Sequence, residues 1–380
     1  MNDAVSVRDF GAIGDGVTDD FAAFQRALSS GARRVLVPFG VYLISETLRI
    51  FSNTSLECDR CARIVMKRSK RCARGDFLLT SDEGGSENVA VIGGIWDGQS
   101  RLPEHDKPDL FDKNGYSGAL LNFVGVRGLK LSGLVAANST TYYIRLCRVE
   151  NFEVSDVDLI SDDFGYNQDG VHLGGGVRHG VIRNIRALTR GQTNDDMVAL
   201  NADDSVERVE NLDLVRDDIE DVLIENIYTE SCHTIIRMLS VTAAIRNVKM
   251  KNIHGGYRCY AINGDGARYC KTPLFTEEEY PDGVGRIENI EIDGFTCYRA
   301  EREPDQKCSG MPTECAIKME SNCKNFVIRG FNKLDGAERD AALAMAKVGK
   351  SRVIADGVEY KLWGKSDELL LPDFKELKIN

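Results

Sequence analysis

Asn151-Phe152-Glu153-Val154-Ser155-Asp156-Val157 is the stretch whose reading decides the fold. Its pattern is polar, apolar, any, apolar, any, small or polar, apolar. Alternating apolar side chains turn one face of a short strand toward a core. A residue such as Asp156, like Asn or Gly, tolerates the left-handed backbone that turns a corner. The pattern recurs at 88–94, 128–134, 179–185, 221–227, 247–253, 289–295 and 325–331. The closest copies lie about 23 to 28 residues apart, within the range of solenoid repeats. Gaps near 40 residues hold either an unrecognised coil or a loop. Strands of a sandwich have no reason to share one seven-residue pattern. The expected fold is therefore all-β: a single-stranded, right-handed parallel β-helix.

Both ends of a solenoid expose strand edges and need covers. Residues 9–16 are rich in turn formers, and Thr18-Asp19-Asp20 supply an N-cap and acidic first turn. Phe21, Phe24, Ala27 and Leu28 then form one apolar helix face, and Gly31 ends it. A helix is expected over 18–30, followed by strands at 35–38 and 40–44. Residues 1–50 are thus read as an N-terminal cap continuous with the solenoid, 51–335 as the β-helix, and 336–380 as a C-terminal cap. That second cap is expected to be a helix at Ala337 to Lys347 with a polar tail outside it.

Composition limits function. A net charge of −11 argues against non-specific binding to nucleic acid or to an anionic membrane. No apolar run is long enough to span a bilayer. Eleven cysteines, several within strands, suit a reducing compartment better than a disulfide framework. With no leader visible before Asp9, the cytoplasm is the expected location, a secreted or periplasmic one being the alternative if the chain begins at a processed end. Cys58 and Cys61 form a lone C-x-x-C with Cys72 nearby and no second pair, so no metal site is expected there. Asn53-Thr54-Ser55 and Asn138-Ser139-Thr140 match the glycosylation pattern.

The densest polar run in the repeats is Asn167-Gln168-Asp169-Gly170-Val171-His172-Leu173. One coil later comes Asn194-Asp195-Asp196, and one more brings Cys232-His233-Thr234 and Arg237. Equivalent positions on successive coils stack roughly 4.8 Å apart, placing Asp169, Asp195, Asp196 and His233 on one outer face. Stacked carboxylates repel, so at least one should hold a proton near neutrality beside an ionised neighbour. An acid and a base in one site are the requirement for hydrolysing a glycosidic bond.

Asn167-Gln168-Asp169-Gly170, Asp195-Asp196 and His233, in this order, resemble the motifs of the polygalacturonases, glycoside hydrolase family 28. Gln168 stands where the family's first motif, N-T-D, has threonine. Of the third motif, G-H-G, only His233 is present. The fourth, R-I-K, is unmatched; the corresponding region reads Arg258-Cys259-Tyr260-Ala261-Ile262-Asn263. Residues 9–20 separately resemble the opening of pectate-lyase-like β-helix proteins. The resemblance implies hydrolysis of a pectin-like or uronate-containing glycan with inversion and no cofactor. It makes Asp195 or Asp196 the acid, and Asp169 with the other the water-activating pair. His233 would support the acid or orient substrate. Asn167, His172, Arg237 and Arg258 are the candidate substrate contacts, the two arginines standing in for the missing cations. Trp96, Tyr142, Tyr143, Tyr166 and Tyr257 are aromatic candidates for sugar stacking or for the interior. Asp203-Asp204 and Asp217-Asp218 read first as solvated charge and second as a rim or ion site, and insertions 98–120, 201–218 and 266–286 could wall one end of a groove. A lyase or sugar transferase on the same scaffold, and a non-catalytic glycan-binding β-helix, are the alternatives.

Overall fold

The computed structural model describes residues 3–67, 77–100, 119–165, 167–203, 215–265, 283–304, 306, 315–335, 340–346, 348–364 and 367–380. From Ala4 to Ala346 its strands pair in parallel, each coil with the next. The fourth positions of the eight sequence repeats form one continuous interior ladder: Val91, Leu131, Val154, Ile182, Ile224, Met250, Ile292 and Ile328. All eight are fully buried. Burying an aliphatic side chain of this size contributes about 1.5–3 kcal/mol, which makes such a column the main cohesion between coils.

The corners follow the composition as well. The first and sixth residues of every repeat, Asn88 and Gly93 through Asn325 and Gly330, have positive φ. The exposed corner amides then bond along the axis: Asn184 donates to Asp156 at 2.8 Å, Asn226 to Asn184 at 2.9 Å, and Asn252 to Asn226 at 2.8 Å. A second ladder links Asn247, Asn289 and Asn325 to Asp221. The eight repeats pair directly with one another, so no further coil intervenes between them.

Gly180 lies in that ladder for a steric reason. A Cβ there would come within 1.9 Å of the Phe152 ring on the preceding coil.

The N-terminal cover is a single helix, Phe21–Leu28, shorter than expected. Asp20 does not cap it by side chain; its carboxylate accepts from the Ile13 and Gly14 amides, while Asp19 accepts from Phe21 N. Strands Ala4–Ser6 and Arg34–Val37 stack beneath Ser55–Cys58, so the coil already begins within the capping segment.

The C-terminal cover differs from expectation. No helix forms in the described part of 337–347: Ala341–Ala346 is a strand that continues the ladder on Cys315–Met319. The alanine-rich sequence has high helix propensity, but Ala342, Leu343 and Met345 bury only as an extension of the sheet, and packing overrides propensity. Antiparallel strands close the end instead. Glu368–Leu371 pairs with Ala341–Ala346, and Glu376–Ile379 pairs with Cys323–Lys333 and Ser351–Ala355.

Candidate active site

The site sits on the face built by Tyr142–Cys147, Val171–Leu173, Asp196–Asn201 and the later halves of Ile219–Leu239 and Ala244–Gly264. Ile144, Val171, Val198, Ile236 and Ile262 form its inner row. The next residue of each strand faces outward, giving the row Arg145, His172, Ala199, Arg237, Asn263 and Lys318. Asp169 and Asp196 each lie two residues before partners in register, Val171 and Val198, and so occupy equivalent places on adjacent coils. Thr234 pairs with Asp196. His233 therefore falls beside Asp195, and its backbone amide donates to the Asp195 and Thr193 carbonyls, both at 3.2 Å.

These side chains converge. His233 Nδ1 is 3.3 Å from Asp195 Oδ1 and 3.9 Å from Asp196 Oδ1. His172 Nδ1 is 2.6 Å from Asp169 Oδ2, both groups being buried. The Tyr142 ring lies against the His172 imidazole, centroids 4.3 Å apart. Burial and the charge of Asp195 raise the Asp196 carboxyl above its ordinary range. Asp169 is pushed well above that range by burial, then by Asp195 and Asp196, with Arg237 opposing. Burial also pushes Asp195 up, but the His233 hydrogen bond and charge, with Arg237 and Arg258, outweigh it and hold the group below its usual value. The ligand atoms of Asp195, Asp196 and His233 lie within 4.8 Å of one another, so a divalent cation could compete for them. The Nδ1–Oδ1 contacts are those of ion pairs, and we read the set as acid, base and counter-charge rather than as ligands.

The other candidates separate. Arg237 lies on the outward row, paired with Asp265 at 3.5 Å, and lowers all three carboxyls. Arg258 is elsewhere: its guanidinium donates to the carbonyls of Gly191, Ser231, Thr193 and Asn194, stapling the loop behind Asp195. Its charge helps to lower the Asp195 carboxyl. The register between its strand and the preceding coil shifts on either side of Cys232. Asn167 has positive φ, and its Nδ2 is buried with no hydrogen-bond partner. Gln168 is fully buried, donating to Ser139 O and accepting from Gly165 N, a wholly structural use of the position.

Trp96, Tyr142, Tyr143 and Tyr257 are all buried and offer no open stacking face; Tyr166 lies outside the described residues. Asp203 is buried and accepts from Thr242 N and Oγ1, Asp218 is half-buried and pairs with Arg246, and Asp217 is exposed and pairs with Arg178. Asp204, Cys72 and most of the three insertions lie outside the described residues. Asn138 is buried and donates to Asp97, which removes it as a glycosylation acceptor. Sequence reading missed Arg145, Ala199 and Asn263. Counting three residues on from each motif position, Asp169 to His172 and Asp196 to Ala199, would have found the outward row.

Comparison with known proteins bears on the fold. The family described as rhamnogalacturonase A/epimerase, pectate lyase-like, matches residues 4–99. An exopolygalacturonase of Arabidopsis thaliana is 28% identical over 251 residues, 61% of this chain and 49% of that protein. The chain has the pectin-lyase fold and, over part of its length, is similar in sequence to polygalacturonases. Among solved structures, a family 28 exopolygalacturonase of Yersinia enterocolitica superposes with a TM-score of 0.55 at 14% identity, covering 91% of this chain and 77% of that one. PfbA, a surface adhesin of Streptococcus pneumoniae, superposes with a TM-score of 0.53 at 13% identity, covering 96% of this chain and 99% of that one. The chain spans less than two thirds of the length of the curated relatives it matches, 12% in the case of the preneck appendage protein of Bacillus phage PZA. At such identities the structural likeness speaks to fold, and a fold hosts both enzymes and adhesins.

Proposed function

We propose that the protein hydrolyses glycosidic bonds of a pectin-like or uronate-containing glycan by inversion. The observation that carries this reading is the trio of buried Asp169 and Asp196 and half-buried Asp195 on adjacent coils, with Asp195 held toward its ionised form by His233 and Asp196 pushed toward its protonated form. Asp196 is the acid, giving its proton to the leaving oxygen as the C–O bond breaks. Asp195 with Asp169 takes a proton from the water whose oxygen bonds to the anomeric carbon. Arg237 balances the charge of the three carboxyls. The Arabidopsis and Yersinia proteins, named as exopolygalacturonases, support the substrate class.

The test is a screen of oligosaccharides with products followed by proton NMR and ultraviolet absorbance. New reducing ends of inverted configuration, without an unsaturated product, are expected. Asp196→Asn and Asp169→Asn should abolish them in folded protein. Full activity in both variants sinks the assignment; a chelator-sensitive unsaturated product indicates a lyase, and binding without turnover indicates an adhesin-like role of the PfbA kind.

A further inference from the structure

We propose that His172 is a positioning residue that carries the proton of the Asp169–His172 pair, keeping Asp169 ionised for water activation. The inference rests on the hydrolase reading and deepens it. Its ground is geometric. The imidazole is buried, its Nδ1 lies 2.6 Å from Asp169 Oδ2, and the Tyr142 ring braces its face. His172 sits on the same strand that Asp169 precedes, three residues on, so the contact is built into a single coil. Burial and the two neighbouring carboxyls push Asp169 well above its ordinary range, so it ionises near neutrality only if a positive partner takes up the proton, and His172 is the group in contact with it.

The charged groups around the imidazole define its job. On the preceding coil the outward neighbour is Arg145, whose guanidinium donates to Asn122 and lies over the Phe77 ring. On the following coil the neighbour is Ala199, with Asp196 and Asp195 at the entry to that strand and Arg237 one coil further. Arg145 and Arg237 disfavour a charged imidazole, whereas Asp169 and the ionised Asp195 favour it. Asp169 alone of these is in direct contact, at 2.6 Å. The arrangement also repeats itself: Asp195 has His233, Asp169 has His172, and Asp196 lies 3.9 Å from the nearer histidine. Two histidine-held carboxylates flanking a third leave that third as the proton donor, which explains why the chain invests two of its five histidines here.

Two measurements on the full chain decide the matter. Nitrogen-15 NMR of the histidine rings reports the charge of His172 directly. An imidazolium is expected at pH 7 in the wild type, turning neutral in Asp169→Asn. A neutral wild-type ring overturns the proposal whether or not the protein hydrolyses anything. The second is the pH profile of His172→Gln, which keeps a donor but loses the charge. Its acidic limb of kcat/KM should move up by about one pH unit or more, with activity recovering as pH rises and Asp169 ionises on its own. A profile superimposable on wild type, or a loss uniform across pH, overturns the proposal. An imidazolium coupled to Asp169 in a protein without turnover would sink the hydrolase reading while leaving the pair intact.

Discussion

The corner ladders and the sheet that carries the carboxylates share one backbone and treat polar side chains in opposite ways. At the corners the polar residues are exposed, repeat from coil to coil, and bond to their own kind, as Asn226 does with Asn184 and Asn252. On the carboxylate face the outward row changes at every step, from Arg145 through His172 and Ala199 to Arg237 and Asn263, and all of it is buried. A ladder of identical amides serves stacking alone. Buried groups of different chemistry cost folding free energy that stacking does not require. The difference separates what makes the solenoid from what the solenoid holds.

The largest effect that would break this contrast is loss of activity without loss of fold. Asp196→Asn should lower turnover on any cleaved oligosaccharide by about 10²- to 10⁴-fold, the usual worth of a general acid. The same variant should unfold in urea at an unchanged or higher midpoint, since the amide is neutral without having to hold a proton that burial and Asp195 force on the carboxyl. Unfolding at a much lower midpoint would mean that the carboxylate face is structural after all.

The sequence makes the first region far more legible than the second. The first and sixth positions of each repeat accept only Asn, Gly, Asp or, once, His179, because positive φ restricts the choice, and that restriction is visible as composition. The interior column is visible as alternation. Asp169, Asp195, Asp196 and His233 were legible because motif order maps onto coil order. Arg258 was not, since nothing in its local pattern tells whether a guanidinium faces the groove or turns back to carbonyls 64 to 67 residues earlier. The strand Ala341–Ala346 was hidden for a related reason: alanine and methionine at every position suit a helix, and only the exposed edge of Cys315–Met319 selects the strand.

Next in size is a test of the stacking side. Gly180→Val would drive a side chain into the Phe152 ring and should destabilise the chain by about 1–3 kcal/mol in denaturant titration. Pairing it with Phe152→Leu should restore much of the loss. If both single variants were harmless, the coils would not be in the tight register that places Asp169 against Asp196.

A smaller effect of opposite sign is expected at Asn263. Both its amide atoms are fully buried and lack hydrogen-bond partners. Asn263→Leu should therefore stabilise the protein, by up to about 1–3 kcal/mol, because the cost of an unpaired amide disappears. A corner amide replaced in the same way, Asn226→Leu, should destabilise, because it loses both ladder bonds and the left-handed preference. Equal signs at the two sites would erase the distinction between the regions.

The smallest expected difference is in pH dependence. Burial and Asp195 raise the Asp196 carboxyl above its ordinary value, so in the folded chain it holds a proton that the unfolded chain has released. Between the unfolded value near 3.9 and the raised folded value, the folded state binds more protons, and stability falls as pH rises through that window. The contribution is fully present below the unfolded value and lost above the folded one. Wild type should thus gain more melting temperature than Asp196→Asn as pH falls from neutrality toward the unfolded value. The exposed corner amides carry no proton, so Asn226→Ala should shift both ends of that curve equally. A wild-type gain no larger than that of Asp196→Asn would mean that Asp196 is ionised throughout, and the proton donor would have to be sought at Asp169.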